Sequence, residues 1–597
     1  MGVGHGKPQR QIPAGIEQKF QQAIALHQQG RLADAERVYT QILQRDPNHI
    51  DALNLLGMVA LQTKRLERGI RLIEKVLRID PSVASAHNNR GIALRDLERL
   101  GEAVASYDRA IALKPDFAQA YNNRGVALKD LERLDEAVAS YDRAIALKPD
   151  YAEAYSNRGL ALRDLNRLDE AVASYDRAIA LKPDYAEAYS NRGIALRDLK
   201  RLDEAIASYD RAILLKPDYA GAYSNRGTAL RSLNRLDEAI ASYDRAIALK
   251  PDYAEAYSNR GVALCDLKRF AEAAASCDQA IALKPRDAGA YYNKSLSCLA
   301  TGDLARGWKL FEYRKKIPEA FGFRPYPRPL WLGEVPPAGK TVFLYWEQGL
   351  GDTVQFCRYA GLVQARGARV VMSVQDPLVR LLRQLEPRIE IMGADQEPAA
   401  FDLHCPLMSL PLAFATTLET IPSAPRYLAA IPELKAQWAV RLPRGSRPRI
   451  GLAWSGSPAH PNDHNRSMQP GQLQPLLSFD ADWFCLQKEF RAGDAAAFRG
   501  CPRIAFLNEG VQDFADTAAV IDQLDLVIAV DTSVAHLAGA LGKPVWILLP
   551  FSADWRWLLD RDESPWYPSA RLFRQPRIDD WSSVIAQVTS ELASRFP

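Results

Sequence analysis

Residues 118–151 read AQAYNNRGVALKDLERLDEAVASYDRAIALKPDY, and this stretch decides the fold of half the chain. Apolar residues recur at helical spacing over 121–134 and again over 137–147, which predicts two consecutive helices. Pro149 ends the second helix because it lacks a backbone N–H and clashes with the preceding turn. Gly125 has no side chain, so the two helices can approach closely. One such pair cannot bury its own apolar stripe, and therefore pairs must stack on one another.

The same pattern recurs every 34 residues along the first half of the chain. Units begin at residues 16, 50, 84, 118, 152, 186, 220, 254 and 288, and the first and last are atypical, as expected for caps. A 34-residue period with Gly, Ala and Pro at fixed offsets resembles the tetratricopeptide repeat. The resemblance implies an α-solenoid over residues 16–321. In the last unit, Trp308, Phe311 and Tyr313 are predicted to pack against the next domain.

An asparagine keeps the same 34-residue register on the first helix of the seven units from residue 84 onward. The row comprises Asn89, Asn123, Asn157, Asn191, Asn225, Asn259 and Asn293. It resembles the asparagine ladder in the repeat domain of protein O-GlcNAc transferases, which implies that the amides bind the backbone of an extended peptide. The alternative is that duplication copied the asparagines without a binding role, because the units are nearly identical.

Charge and cysteine content exclude several classes of protein. The 76 basic and 72 acidic residues leave a net charge of +4, which gives no electrostatic reason for binding nucleic acid or an anionic membrane. The seven cysteines are scattered and form no C-x-x-C pair, which fits a reducing compartment. No apolar run reaches the length of a transmembrane segment, and no secretory signal is visible. We therefore expect a cytoplasmic protein, with residues 1–15 disordered.

From Thr341 onward, short apolar runs alternate with helical patterns, which predicts parallel sheets covered by helices. The predicted strands are Thr341–Trp346, Arg369–Val374, Ile389–Met392, Arg449–Trp454, Trp483–Gln487, Ile504–Leu507, Leu526–Val530 and Val545–Leu549. A polar, Pro-rich connector over 432–448 divides the region. We predict a linker at 322–340, a first Rossmann-like lobe at 341–435 and a second at 446–597, with a ligand between them at the carboxyl ends of the strands.

Three motifs follow predicted strands. In the first, Gly349 and Gly351 allow a tight turn before Asp352, whose carboxylate is a candidate general base facing the cleft or, alternatively, a helix N-cap. In the second, Asp531 ends a strand and a helix begins at once. The amides of Thr532 and Ser533 are predicted to bind an anion there, which the helix dipole favours.

His536 lies one turn into the same helix. It either contacts the ligand or has a structural role. The third motif opens the second lobe. Ser455 and Ser457 are candidate phosphate donors and Arg466 a candidate counter-charge, with a polar loop as the alternative. The run 555–557, Trp-Arg-Trp, either stacks on a base or sugar or packs in the ordinary way.

The three motifs in this order resemble the heptosyltransferase family, glycosyltransferase family 9, over roughly residues 340–597. The resemblance implies a GT-B fold and a metal-independent, inverting sugar transfer with no cofactor besides the nucleotide sugar. It implies that Asp352 is the base, that Arg466 contacts the diphosphate, and that Asp531 and Thr532 cradle the donor. This chain departs from the family where Ser533 replaces a more usual glycine and Arg466 a lysine. Its first lobe is short, and a repeat array precedes it.

These features predict a glycosyltransferase whose repeats dock a protein acceptor or a partner. One alternative is a non-catalytic scaffold that carries a degenerate sugar-nucleotide fold. Another is a protein O-GlcNAc transferase, which the repeats resemble more than the catalytic motifs do.

Overall fold

The chain is described by a computed structural model that divides into two compact units, Met1–Leu233 and Asn234–Pro597. The described residues are 14–317, 323–385, 389–442, 445–460, 462–491, 494, 498, 503–507 and 509–597. Most of the N-terminal segment predicted to be disordered lies outside them, but the first helix begins at Ala14, inside that segment. The boundary between the units falls within the repeats, so the last repeats pack with the α/β region.

Eighteen helices in nine consecutive pairs precede the first strand in the part of the chain that the structure describes. Helices α1–α18 are Ala14–Gln28, Leu32–Arg45, Ile50–Gln62, Leu66–Ile79, Ala84–Asp96, Leu100–Leu113, Ala118–Asp130, Leu134–Leu147, Ala152–Asp164, Leu168–Leu181, Ala186–Asp198, Leu202–Leu215, Ala220–Ser232, Leu236–Leu249, Ala254–Asp266, Phe270–Leu283, Ala288–Ala300 and Leu304–Phe311. They confirm the predicted solenoid of helical pairs. Helices α1–α13 belong to the first unit and α14–α18 to the second.

The two helices of each pair are joined by a turn in which one residue takes the left-handed backbone conformation. In the turn between α7 and α8, Arg133 N donates to Leu128 O at 2.9 Å and Glu132 N to Lys129 O at 2.9 Å, the two bonds of a Schellman motif. The residue between them takes the left-handed conformation, with φ +60° at Glu132. The same conformation recurs at Lys64, Glu98, Asn166, Lys200, Asn234 and Lys268, with glycine only at Gly30 and Gly302.

Small residues let the two helices of a pair touch. A Cβ at Gly125 would lie 2.6 Å from the ring of Tyr141, so only glycine leaves room for that ring. The Tyr141 hydroxyl is buried and has no hydrogen-bond partner among the described residues. Arg124 binds both neighbours: its Nε donates to Asp108 of the preceding unit at 2.7 Å and its Nη1 to Ser140 at 2.6 Å. The repeat is thus held by shape on one face and by a shared guanidinium on the other.

Within the described ranges, ten strands form two parallel sheets. Strands β1–β10 are Thr341–Tyr345, Arg369–Ser373, Glu390–Met392, Leu403–Pro406, Arg449–Ala453, Asp482–Cys485, Ile504–Phe506, Leu526–Val530, Val545–Leu549 and Ala570–Arg574. The helices between and after them, α19–α28, are Leu350–Phe356, Ala360–Ala365, Asp376–Leu382, Leu410–Ala413, Pro432–Arg441, Asp463–Arg466, Gln474–Leu477, Phe514–Ile521, Ser533–Ala540 and Trp581–Arg595.

The first sheet has the order β3-β2-β1-β4 and the second β10-β9-β8-β5-β6-β7. Numbered from its own first strand, the second sheet has the order 3-2-1-4-5-6 of the Rossmann fold. The strand order reverses between β1 and β4 in the first sheet and between β5 and β8 in the second. In such sheets a ligand binds beyond the carboxyl ends of the strands at the reversal.

Two strands and one helix were not predicted from the sequence. Strand β4 contains His404 and ends at Pro406. These residues weaken the apolar pattern by which a strand is predicted, but a sheet edge tolerates them. Strand β10 forms the far edge of the second sheet. The connector over 432–448 contains a helix that the sequence did not predict: Pro432 begins α23, because proline suits a first helical position.

The segment predicted as a linker packs against the first lobe where it is described. Trp331 is fully buried, and its N–H donates to His404 O at 2.8 Å on strand β4. Residues 318–322 lie outside the described residues. No helix in the described ranges is both long enough and apolar enough to span a bilayer.

Candidate active site

Asp352 lies in the first turn of α19, just beyond the carboxyl end of β1. Its Oδ2 accepts a hydrogen bond from the Gly349 N–H at 2.8 Å, which satisfies the backbone donor of the N-cap residue. Its Oδ1 accepts from Nη2 of Arg556, which belongs to the second lobe. The sequence left a cap and a cleft-facing carboxylate as alternatives. In the structure Gly349 is the N-cap residue and Asp352 is the third residue of the helix, so its Oδ2 binds the N-cap N–H while its Oδ1 faces the second lobe.

Arg556 is a buried cation that the sequence did not identify as part of the site. Besides Asp352, its guanidinium binds Asp554 Oδ1 at 2.8 Å and Gln355 Oε1 at 2.7 Å. Burial alone would lower the pKa of Arg556, but Asp554 and Asp352 outweigh it and the pKa is raised. The guanidinium therefore stays charged and joins two acids from opposite lobes.

The tryptophans that flank Arg556 are interior residues. Trp555 is 6% exposed and Trp557 is fully buried, so the run packs in the ordinary way and offers no open ring for stacking on a ligand. The Arg556 guanidinium lies 4.4 Å from the centre of the Trp555 ring. The signal that could have identified Arg556 was its position between two large aromatic residues in a loop after a buried strand.

The second motif forms the predicted strand–helix junction. Strand β8 ends at Val530, and α27 begins at Ser533 with Thr532 as its N-cap residue. No side chain caps this helix among the described residues, and the buried Thr532 hydroxyl has no partner there. The first amides of α27 and this hydroxyl are thus available to an anion.

His536 connects this helix to the first lobe. Its Nδ1 lies 2.9 Å from the Tyr567 hydroxyl, and its ring stacks on Trp557 at 5.3 Å. A Cβ at Gly351 would lie 2.8 Å from His536 Cδ2 and 3.5 Å from Ser533 Cα. The turn that carries Asp352 therefore touches the helix that begins after Asp531-Thr532.

Burial sets the charge of this junction. Burial, with Arg556 and other nearby guanidinium groups, lowers the pKa of His536 well below its ordinary value, so the ring is neutral. Burial and the charge of Asp554 raise the pKa of Asp531 to about 6.

Arg466 of the third motif lies next to the strand–helix junction at Asp531. Arg466 Nη1 donates to Asp531 O at 3.2 Å and lies over Gly456, where a Cβ would approach Nη2 to 2.5 Å. The Ser455 hydroxyl is buried at the end of β5 without a partner in the described ranges. Arg466 thus contacts Asp531, and Ser455 follows β5, the strand that pairs with β8. For Ser457 the structure shows an exposed side chain bonded within its own loop, where its hydroxyl accepts from Ala459 N at 3.4 Å.

The asparagine row makes bonds between repeats. Asn89 donates to Asn54 Oδ1 at 2.9 Å, and Asn123 and Asn157 donate to Asn88 and Asn122 at 3.0 Å. Asn293 donates to Ser258 Oγ at 3.0 Å. Asn191, Asn225 and Asn259 occupy the same register on α11, α13 and α15. One amide hydrogen of the bonded members links neighbouring units, and peptide binding by the row stays a prediction.

Comparison with known families supports both halves of the chain. Models described as TPR repeat or tetratricopeptide repeat match residues 26–88, 91–132, 127–163, 159–196, 186–219, 227–268 and 254–287. The N-terminal half is an array of tetratricopeptide repeats. The model of glycosyltransferase family 9 (heptosyltransferase) matches residues 500–549 beyond the array. That match contains Asp531 and His536 but neither Asp352 nor Arg466.

Individual proteins are similar to parts of this chain. Protein FlbA of Caulobacter vibrioides is 27% identical over 329 residues, which is 49% of this chain and 53% of FlbA, so the match spans about half of the relative. Among solved structures, the APC/C hetero-tetramer Cut9-Hcn1 matches with a TM-score of 0.37 and 20% identity over 46% of this chain and 54% of that one. YrrB, a TPR protein with an unusual peptide-binding site, matches with a TM-score of 0.27 and 23% identity over 31% of this chain and 95% of YrrB.

The catalytic candidates do not lie in a cavity that the structure forms at the amino ends of strands in the second sheet. That cavity, about 1050 Å³, is lined by Arg449 and Asp525 at the amino ends of β5 and β8. Asp531 lies at the opposite end of the same strands. Ligands of such sheets bind at the carboxyl ends of the strands, so the candidate site lies at the Asp531 end and not in this cavity.

Proposed function

We propose that the protein transfers a sugar from a nucleoside diphosphate sugar to an acceptor that the repeats dock. The observation that carries this proposal is the contact of Gly351 with His536 and Ser533. It joins the carboxylate of the first lobe to the open helix end of the second at one site. Sugar transfer from a diphosphate donor requires a general base for the acceptor and an anion-binding site for the diphosphate, and the two facing lobes supply one each.

The residues divide the chemistry as follows. The donor diphosphate binds the first amides of α27, with Arg466 supplying positive charge. Asp352 takes the proton from an acceptor hydroxyl while the oxygen of that hydroxyl bonds to the anomeric carbon of the donor sugar. The bond between that carbon and the diphosphate oxygen breaks, and the nucleoside diphosphate leaves with the electron pair. Attack from the side opposite the leaving group inverts the anomeric centre.

Positive charge for the leaving group comes from the protein in this scheme, so we propose a transfer that needs no metal ion. The neutral His536 ring adds a polar contact without a further charge. Because Tyr567 adjoins Nδ1, the Nε2 side of the ring faces Asp531, at 3.8 Å from its Oδ1. With the Tyr567 hydroxyl donating to Nδ1, Nε2 carries the hydrogen and can donate to a phosphate oxygen.

A second candidate function is a binding scaffold with an inactive lobe pair. It is favoured by one observation: both carboxylate oxygens of Asp352 already accept hydrogen bonds, from Gly349 and Arg556. A carboxylate has about four lone-pair positions, so these two bonds leave room for an acceptor hydroxyl. Activity measurements separate the two candidates.

The test begins with a panel of nucleotide sugars scored by thermal shift against the full chain, since a bound donor raises the unfolding temperature. Release of nucleoside diphosphate is then compared in wild type, Asp352→Asn and the exposed control Asp395→Asn. Loss of a general base lowers kcat by about 10²- to 10⁴-fold, whereas the control keeps the wild-type rate. Equal rates for wild type and Asp352→Asn would rule out the catalytic proposal.

A further inference from the structure

The last repeat departs from the others where it faces the lobes. Trp308 occupies a register that holds Val138 and Ile240 in earlier units. It is 2% exposed, its Nε1 donates to Thr416 O at 3.0 Å, and its ring meets Trp555 edge-on at 5.3 Å. A bulky aromatic residue thus replaces a small aliphatic one where the repeat contacts the α/β region.

Phe311 strengthens the same contact, with ring centres of Phe311 and Trp555 6.1 Å apart. These observations confirm the prediction for Trp308 and Phe311. Tyr313 instead stacks on Tyr291 at 4.0 Å, inside the repeat. Trp555 is therefore held from one side by the repeat array, and its other neighbour is the guanidinium of Arg556.

A continuous chain of contacts follows. The ninth repeat packs on Trp555, Trp555 stacks on Arg556, and Arg556 donates to the carboxylate of Asp352. Gln355 and Asp554 fix the other two nitrogens of the guanidinium, so its position is determined from three sides. A planar guanidinium suits this task, because its donors sit on three separate nitrogens, whereas those of a lysine ammonium all sit on one.

We propose that Arg556 is a positioning residue for Asp352 and that the ninth repeat, through Trp308, holds Arg556 in place. The inference rests on the proposed function. The last repeat is then a structural part of the transfer site as well as the end of the docking array. The competing role for Arg556 is direct binding of the donor diphosphate, which predicts a different kinetic signature.

A second contact joins the last repeat to the loop of the first lobe that carries Asp352. Arg314, which follows α18 and is fully buried, donates to Glu347 Oε2 at 2.6 Å and to Ser409 Oγ at 2.8 Å. Glu347 lies between β1 and Asp352, and Ser409 follows β4. The loop that carries Asp352 is thus tied to the repeat at its start, and the carboxylate itself is tied through Arg556.

The test uses full-length variants Arg556→Gln, Arg556→Lys and Trp308→Ala, with Val138→Ala as the control at the same repeat register. For Arg556→Gln we expect kcat to fall by about 10- to 100-fold, the effect of misplacing a catalytic group, while KM for the donor stays within about threefold. The kcat of Arg556→Lys should lie between those of wild type and Arg556→Gln, and Trp308→Ala should lower kcat by several-fold. Val138→Ala lowers thermal stability alone.

A double-mutant cycle with Asp352→Asn separates positioning from donor binding. If Arg556 acts through Asp352, then Arg556→Gln causes no further loss of rate in the Asp352→Asn background. Thermal unfolding checks that each variant is folded, and Arg556→Lys carries the comparison if Arg556→Gln is not.

Equal fold-losses in both backgrounds, or a loss confined to donor KM, would overturn the role of Arg556. A wild-type kcat for Trp308→Ala would overturn the role of the repeat. If wild type itself releases no nucleoside diphosphate from any sugar in the panel, the proposed function fails and this inference fails with it.

Discussion

Gly351→Ala tests the contact between the two lobes directly. The new Cβ would lie 2.8 Å from His536 Cδ2, about 0.7 Å inside the optimal separation of two carbon atoms. His536 has little freedom to yield, because Tyr567 holds its Nδ1 and Trp557 stacks on its ring. The lobes must therefore separate locally, at a cost of about 1–3 kcal/mol, the usual range for overpacking an interior.

The expected result is a loss of both stability and rate. A destabilisation of this size lowers the unfolding temperature by about 2–4 °C for each kcal/mol. Displacing Asp352 from the donor seat by most of an ångström lowers kcat by about 10- to 100-fold. Nucleoside diphosphate release and thermal unfolding measure the two effects. Gly471→Ala is the control, since a Cβ there meets nothing within 4 Å. A Gly351→Ala variant with the wild-type rate and unfolding temperature would refute the contact.

Three further substitutions test the repeats and the charge of the site. Lys200→Gly relieves a left-handed turn and should raise the free energy of unfolding by about 0.5–1 kcal/mol in urea titrations, while Gly30→Ala, at the same register, lowers it. Tyr141→Phe should leave that free energy unchanged or raise it by up to about 1 kcal/mol, because the buried hydroxyl has no partner in the described residues. Burial lowers the pKa of His536, so the unfolded chain binds a proton that the folded one does not, and stability should fall as pH drops below about 6.5. His536→Gln should make that decline shallower.

The repeat half of the fold is predictable because its information is local and repeated. Gly125 and Pro149 have counterparts at the same register in most units, so one misread residue cannot hide the pattern. What the period did not reveal is the backbone strain at residues such as Glu132. A charged residue in the left-handed region follows no propensity rule, and the conformation is imposed by the Schellman hydrogen bonds.

In the α/β half, predictability follows burial. Strands Leu526–Val530 and Val545–Leu549 were predicted with their observed bounds, because all of their residues are buried and apolar. The edge strands β4 and β10 were missed, because an edge strand is covered on fewer sides and tolerates polar residues and proline. The sequence therefore predicts the centre of each sheet better than its margins.

The site was predictable one lobe at a time. Asp352 and Asp531 each follow a strand, and their types suit a base and an anion-binding turn. Arg556 follows β9 in a loop with no period, and its function as the partner of Asp352 exists only once the two lobes face each other. Pairings between distant loops depend on tertiary geometry, which a single sequence does not encode in any local pattern.

One turn position shows how the same backbone serves different contacts. At the start of the unit Asn234–Pro597, Asn234 donates to Asn465 of α24. At the equivalent turn position 34 residues later, Lys268 lies 4.1 Å from the centre of the Phe551 ring. At the next repeat, Gly302 leaves room for Leu418, 3.1 Å from where its Cβ would lie. The chemistry of the turn thus changes with the partner it meets.

This dual role gives Lys268→Gly a distinct expected outcome. The backbone gains about 0.5–1 kcal/mol, as at Lys200, but the cation–π contact with Phe551, which is also worth about 0.5–1 kcal/mol, is lost. We therefore expect almost no net change in the free energy of unfolding in the wild-type background. In a Phe551→Leu background the cation–π contact is already absent, so Lys268→Gly should be stabilising. Equal effects in both backgrounds would mean that the contact with Phe551 contributes nothing and that only the strain of the turn matters.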